Sequence, residues 1–467
     1  MAGVMALAIT ISAGLSLLPL LGSAAPLAIH VSGNHLVDGA GKTIQLRGAN
    51  VSGTEYSCDQ GSTAPYGWSI YAGQPLDQLS TYQAMQAWGI NVVRVPLNED
   101  CWLSINQVDP AFSGANYRNA IQTEVNLIQQ AGMYPILDLH WSAPGSASAQ
   151  AQNPEPDQDH SPAFWQSVAT TYKSNPAVIF ELFNEPFDYW GTNPDPWAGW
   201  LNGDTQTQYQ TGGNPYTVNL NWQTAGMQEL INTVRATGAT QPIMANGLDW
   251  ANDMSGWLSH APSDPQHQLI AGWHSYPGEL CADTACWDQN VAPITQTYPV
   301  VVTETGDSSA GPVTFLPGFF NWADAHGLSY LAWTWNPWQH PDNVLVKDWN
   351  GTPTAGEGLS WQAHLALRSS SSQSAPAQTG ANHKAALAPS PVQADSPSPT
   401  NAPAPNRNAA LAPCGAAITC SAHWAVSNQP VSLRLGLLVF GVLLLGFLLF
   451  GGLVAMMKRR GQLSPRR

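Results

Sequence analysis

The chain has 467 residues, 44% of them hydrophobic and only 10% charged, with a formal net charge of −15. Residues 1–367 carry 30 of the 31 acids but 7 of the 16 bases (7 − 30 = −23), whereas 368–467 carry one acid, Asp395, and 9 bases (+8). So acidic a body repels nucleic acid and suits a neutral substrate, and no His cluster or CxxC pair supports a metal site.

Residues 1–25 are apolar and close on LLGSAAP, the pattern of a secretory signal cleaved near Ala24 or Ala25, although no Lys or Arg precedes the apolar stretch. HVSGNHLVDGAGKTIQL then reads as a hairpin turning at DGAG, placed to plug the bottom of the fold that follows. From about 28 to 367, apolar strand-like runs recur at 44–50, 91–97, 134–140, 178–186, 242–248, 269–276, 300–306 and 330–336. Helical periodicity falls between them at 116–132 (Ile121, Val125, Ile128), at 161–175 (Phe164, Val168, Tyr172) and at 219–238, the last capped by Asn219 and ended by Gly238. Eight strands alternating with helices predict a closed (β/α)₈ barrel, an α/β fold of the TIM-barrel type. An open doubly wound sheet would need a Gly-rich loop after its first strand, and none is there. An Asn-Gly turn at 350–351 predicts a further hairpin after the last strand.

Beyond the barrel, 368–432 is rich in Ser, Ala, Pro and Asn, the composition of a disordered, semi-extended linker. Residues 435–457 contain no charged residue, and about 20 apolar residues suffice to span a bilayer. With Arg434 before it and Lys458, Arg459, Arg460, Arg466 and Arg467 behind, 433–457 reads as a single C-terminal transmembrane helix, with 458–467 as a basic cytoplasmic tail. The body is thus expected on the extracellular face of the cell membrane. Six cysteines allow 15 pairings. Cys281 and Cys286 enclose only ADTA and Cys414 and Cys420 only GAAIT, which favours local pairs and leaves Cys58 with Cys101. Such disulfides fit an oxidising compartment.

Two glutamates close apolar runs: Glu185 in VIFELFNEP and Glu304 in VVVTETG. A carboxylate just past a buried strand stands at that strand's exposed end. Two of them brought together by a closed fold are the equipment of glycoside hydrolysis, where one carboxyl donates a proton and the other attacks or activates water.

The motifs LRGAN, NVVRVPL, ILDLHW, LFNEP, WHSY, TETG and AWTW, in this order and each at a strand end, make residues 28–367 resemble glycoside hydrolase family 5, the cellulase-type barrels. The resemblance implies a retaining mechanism, with Glu185 as acid/base and Glu304 as nucleophile. It implies that Asn184 bonds the sugar 2-hydroxyl, that Arg94 and Tyr276 flank the nucleophile, that His140 and His274 line the sugar site, and that Trp335 stacks on a sugar ring. Asp138 is expected to point away from His140 or to pack in the barrel, and is left out of the site. Trp141, Trp190, Trp250 and Trp338 are weaker aromatic candidates, and Asp159–His160 reads as a helix start. The expected function is hydrolysis of β-glycosidic bonds in polysaccharide, foremost as an endo-β-1,4-glucanase. A mannanase or another β-glucanase on the same barrel, and a carbohydrate-binding pseudoenzyme, are the alternatives. The expected partners are a β-glucan chain and the membrane, with no cofactor and no nucleic acid, and the chain is expected to act as a monomer.

Overall fold

The computed structural model describes residues 27–60, 70–188, 193–210, 217–338 and 340–373, with side chains through 368. Of the sequence expectations, the signal over 1–25, Trp190, the Cys414–Cys420 pair and the span at 433–457 with its tail lie outside these residues.

Three short strands come first: β1 (Ile29–Ser32), β2 (His35–Asp38) and β3 (Thr43–Ile44), an antiparallel meander. The predicted hairpin is therefore one strand richer, with a first turn at Gly33, which sits at φ +62. The barrel is built from β4 (Arg47–Asn50), β5 (Val92–Asn98), β6 (Tyr134–Trp141), β7 (Ile179–Glu181), β10 (Ile243–Asn246), β11 (Leu269–Ser275), β12 (Val300–Thr305) and β13 (Ser329–Ala332). These eight strands pair in parallel, and β13 closes on β4. β5, β6 and β12 are mainly apolar runs buried on both faces, as the parallel arrangement requires.

Helices Leu79–Ala87, Gly114–Gln130, Ser161–Tyr172, Met227–Ala236 and Leu316–Ala325 cover the outside. Between β10 and β11 only one short 3₁₀ turn, Leu258–His260, is present among the described residues. The helix expected over 219–238 is overturned in its first half. Residues Thr217–Gln223 form β9, which pairs antiparallel with β8 (Thr205–Gln210), and the helix begins only at Met227 behind Gly226. Asn219 is a strand residue bonded to Gln208, not a cap. TVNLNWQ alternates with period 2 and so prefers a strand. The last helix runs Glu357–Gln373 and takes in the first residues assigned to the linker.

Side chains at the barrel's amino end form an apolar plug. Leu46, Val92, Ile136, Ile179, Met244, Ile270, Val301 and Leu331 pack with Ile29, Val31 and Leu36 of the small sheet. That sheet caps the bottom, as its sequence predicted. Gly272 on β11 shows how tightly the interior is filled: a Cβ there would lie 1.6 Å from Asn246 Oδ1.

Candidate active site

The site starts from one cation. Arg94, in the middle of β5, is fully buried. Its guanidinium donates to both oxygens of Glu181 (2.6 and 3.0 Å), to Glu304 Oε1 (2.6 Å), to Asn184 Oδ1 (2.7 Å) and to Asn50 Oδ1 (3.0 Å). Asp138 Oδ2 lies 3.0 Å from Nη2. A buried guanidinium is retained only when its donors are satisfied, and here strands β4, β6, β7 and β12 supply acceptors, with Asn184 just beyond β7. Glu181 Oε1 also accepts from Asn246 Nδ2 (2.6 Å) and Thr303 Oγ1 (2.8 Å). The fully buried acidic partners of Arg94 are thus Glu181 and Asp138, while Glu304 shares the cation from the cleft side.

Glu304 stands on β12 in register with His274 of β11, beside a register shift that re-aims the side chains there. Its Oε2 accepts from Tyr276 Oη at 2.9 Å. The carboxylate therefore receives one charged and one neutral donor.

Glu185 lies four residues beyond the end of β7. The strand is shorter than the run 178–186 suggests, but Leu182 and Asn184 still bond to Met244 and Leu139 and carry the chain to the rim. Burial pushes the Glu185 carboxyl up to about 7, with Arg94 opposing and Glu181 adding. Its side chain keeps 23% exposure, toward the cleft. One oxygen of Glu185, one oxygen of Glu304 and one ring nitrogen of His274 all lie within 4.8 Å of one another.

His274 departs from expectation. It is 1% exposed and braces Glu185, with Nδ1 3.0 Å from Oε1. Its Nε2 lies 3.0 Å from Thr303 Oγ1, and the Thr303 hydroxyl is already donating to Glu181. Nε2 must therefore carry the proton, and Nδ1 presents a lone pair. Burial holds His274 down at about 4, with Glu304 opposing and Arg94 adding, so the ring is neutral at pH 7. A neutral ring with its lone pair on Glu185 favours the protonated carboxyl.

Asp138 is a second correction. Residues 138 and 140 are two apart on one strand and so share a face; Asp138 Oδ2 and His140 Nδ1 are 2.6 Å apart. Asn184 Nδ2 approaches His140 Nε2 at 3.4 Å and donates to Gln152 Oε1 at 2.8 Å. His140 therefore keeps its proton on Nδ1, toward Asp138. Burial, with Arg94 adding, holds His140 down at about 4, while burial raises Asp138 to about 7 against the pull of Arg94.

Trp335 is the third correction. It is 0% exposed and packs edge-on against Trp88, with ring centroids 4.9 Å apart. The ring facing the site is Trp333 of the same AWTW motif, half-buried and parallel to His140 at 5.7 Å. Strand alternation could not have separated the two, because residues 333 and 335 are two apart and β13 ends at Ala332. At the rim, Trp250 is 42% exposed, stacks on Phe187 (4.5 Å) and donates its backbone N–H to Pro186 O. Trp141 leans on Tyr56 at 6.0 Å. His160 does stand at the start of helix Ser161–Tyr172, with Nδ1 3.2 Å from Asp157 Oδ1.

Cys58–Cys101 and Cys281–Cys286 are disulfides, with Cα separations of 5.5 and 5.4 Å. The first ties the loop after β4 to the helical turn after β5, and the second closes the loop after β11. Both lie at the carboxyl end of the barrel with the site.

A parallel barrel with two carboxyls at the carboxyl ends of β7 and β12 defines the class as a (β/α)₈ barrel with a glycosidase-type carboxylate pair. The family description cellulase (glycosyl hydrolase family 5) matches residues 37–339, and the chain belongs to that family. It is 24% identical over 328 residues to endoglucanase N of Pectobacterium atrosepticum, covering 67% of this chain and 59% of that one. It is 27% identical over 270 residues to a probable endo-beta-1,4-glucanase B of Neosartorya fischeri, covering 54% and 68%. The chain thus spans under two thirds of the length of the Pectobacterium relative. Among solved structures, the beta-glucanase SdGluc5_26A of Saccharophagus degradans, in complex with cellotetraose, shares the fold. Its TM-score is 0.55 at 23% identity, over 74% of this chain and 94% of that one.

Proposed function

We propose that this protein is a retaining endo-β-1,4-glucanase in which Glu304 is the nucleophile and Glu185 the acid/base. The observation that carries the reading is the unlike surroundings of two adjacent carboxyls. Glu304 is held by Arg94 and Tyr276, and Glu185 is raised to about 7 against a bare His274 nitrogen. Surroundings this different assign the donor-held carboxyl to attack and the raised one to proton transfer. Oxygens within 4.8 Å suit direct attack, because an inverting pair stands roughly 6.5–9.5 Å apart to leave room for water.

Glu304 attacks the anomeric carbon while Glu185 gives its proton to the glycosidic oxygen, so the bond to the leaving sugar breaks as the glycosyl–Glu304 ester forms. Glu185, now ionised, takes a proton from water, and the hydroxide displaces Glu304. Arg94 and Tyr276 hold the nucleophile in place through one oxygen each. Asn184, fixed on Arg94 by its carbonyl, exchanges the bond from its amide nitrogen to Gln152 for one to the sugar 2-hydroxyl. Trp333 gives the sugar ring a flat face over His140, and Trp250 offers one to the leaving sugars on the Glu185 side.

The endoglucanase names of the relatives favour a β-1,4-glucan. The purified full-length chain, assayed on soluble cellulose, mixed-linkage glucan, mannan and xylan, should act first on the β-1,4-glucans with retained anomeric configuration by proton NMR. An inverted product, or mannan preferred over glucan, would overturn the reading.

The setting is also proposed from sequence. Residues 1–25 act as a secretory signal, 368–432 as a tether and 433–457 as a single anchor, which places the barrel outside the cell and 458–467 inside. Among the described residues no helix is long and apolar enough to cross a membrane, and the proposed anchor is not among them. Protease treatment of intact cells should release active barrel and leave the basic tail protected.

A further inference from the structure

A furrow at the carboxyl-end rim encloses about 250 Å³ between Gly73, Gln74, Pro337, Trp338 and Trp349. No charged side chain lines it among the described residues, and both indoles are half-buried. Its floor is rigid. Asn336 Oδ1 accepts from Ser52 N (2.8 Å) and Thr334 Oγ1 (2.6 Å), while its Nδ2 donates to Ser52 O (2.8 Å) and to Gln74 Oε1. Gln74 Nε2 donates to the same Ser52 carbonyl (2.7 Å). The loops after β4 and β13 are therefore one hydrogen-bonded unit beneath the furrow, and its polar groups are spent internally.

Each indole is presented by a fixed turn. Trp338 N–H bonds back to Asn336 O at 2.8 Å. Trp349 rides the turn that Asp348 Oδ1 organises by accepting from Asn350 N and Thr352 N. Behind that turn, Gly351 sits at φ +84 and its carbonyl accepts from Trp88 Nε1 (3.2 Å); a Cβ there would lie 3.2 Å from Trp335. The buried Trp335 thus supports the turn that carries Trp349.

We propose that this furrow is a distal sugar-binding site, with Trp338 and Trp349 as its walls, for a glucosyl unit on the non-reducing side of the cleaved bond. The proposal rests on the glucanase reading above. Two flat apolar faces with no charge fit a neutral pyranose ring and suit neither an anion nor a cation. Position gives the polarity. Trp338 follows Trp333 by five residues on the loop after β13, so the furrow continues the cleft. Glu185 follows β7, across the closed barrel from β13 and β4. The leaving sugar departs on the Glu185 side, so the furrow holds the other part of the chain. Rings fixed in advance bind without losing rotamer freedom.

The test is a length series of aryl β-glucosides with one to five glucosyl units, assayed with wild type, Trp338→Ala and Trp349→Ala. The loss in kcat/KM should set in at the length that reaches the furrow and persist beyond it, at roughly five- to tenfold per indole, expressed mainly in KM. Trp338→Phe should recover part of it, which a general folding defect would not allow. An equal loss at every length, the single-sugar glycoside included, would overturn the proposal, as would no loss at any. Cellohexaose titrated calorimetrically into Glu304→Gln protein separates the two readings. If wild type cleaves β-glucan and the length dependence is untouched, the furrow fails and the glucanase reading stands. If wild type cleaves none, the glucanase reading fails, and the furrow stands or falls on whether Trp338→Ala weakens hexaose binding to the Glu304→Gln protein.

Discussion

Ile179 and Glu181 stand two residues apart on β7 and share one face of the strand, yet they belong to different halves of the barrel. Ile179 packs in the apolar plug with Ile136, Met244 and Val301. Glu181 lies one layer higher among Arg94, Asp138, Asn246 and Thr303, all of them 0% exposed. The same step of two residues separates Val92 from Arg94, Ile136 from Asp138, Met244 from Asn246 and Val301 from Thr303. The lower layer follows from the hydrophobic effect and needs no partner of particular chemistry. The upper layer is tolerable only because each member satisfies another. One barrel thus carries a stability end and a chemistry end, and the boundary between them is a single layer of side chains.

Glu304→Gln should break this division most visibly. Activity on β-glucan should fall roughly 10⁴-fold, with circular dichroism and melting close to wild type. Glu185→Gln should fall about 10²–10⁴-fold on polysaccharide but far less on a substrate with a good leaving group, because such a group departs without a proton. Comparable small losses on both substrates would remove the acid/base assignment.

Arg94→Met tests whether the upper layer also supports the fold. It leaves Glu181, Asp138 and Glu304 together without their cation, so stability should drop by about 3–5 kcal/mol along with all activity. Denaturant unfolding measures this. An Arg94→Met protein as stable as wild type would mean that the upper layer matters for chemistry alone.

Ile179→Ala is the counterpart below. A loss of about 2–5 kcal/mol with kcat per folded molecule retained is expected. If kcat fell in step with stability, the two layers would be coupled rather than stacked.

The smallest effect is on pH dependence. The Glu185 carboxyl is raised to about 7, so its acid form is present below that pH and is lost as pH rises through it. The basic limb of kcat/KM should therefore lie near pH 7. His274→Ala removes the lone pair that favours the protonated carboxyl, and the limb should move to lower pH. A limb that moved upward would reverse the tautomer assigned to His274.

The sequence by itself determined the alternation of strands and helices, the strand ends that carry Glu185 and Glu304, the small capping sheet and the pairing of Cys281 with Cys286. These are local properties: a run of β-branched residues, a carboxylate past its end, a short spacing between thiols. The tertiary structure decided which side chains meet. Nothing local tells that Arg94 is shared by Glu181 and Glu304, that His274 serves Glu185, or that Trp333 faces the site while Trp335 supports the turn behind Trp349. Those contacts join residues from different strands, and they are set by the tilt and stagger with which the barrel closes. The hairpin at 205–223 was missed for a related reason. Its alternation was present in TVNLNWQ, but the helical pattern that begins at Met227 was extended backward over it, and only pairing with Thr205–Gln210 settles where the strand ends.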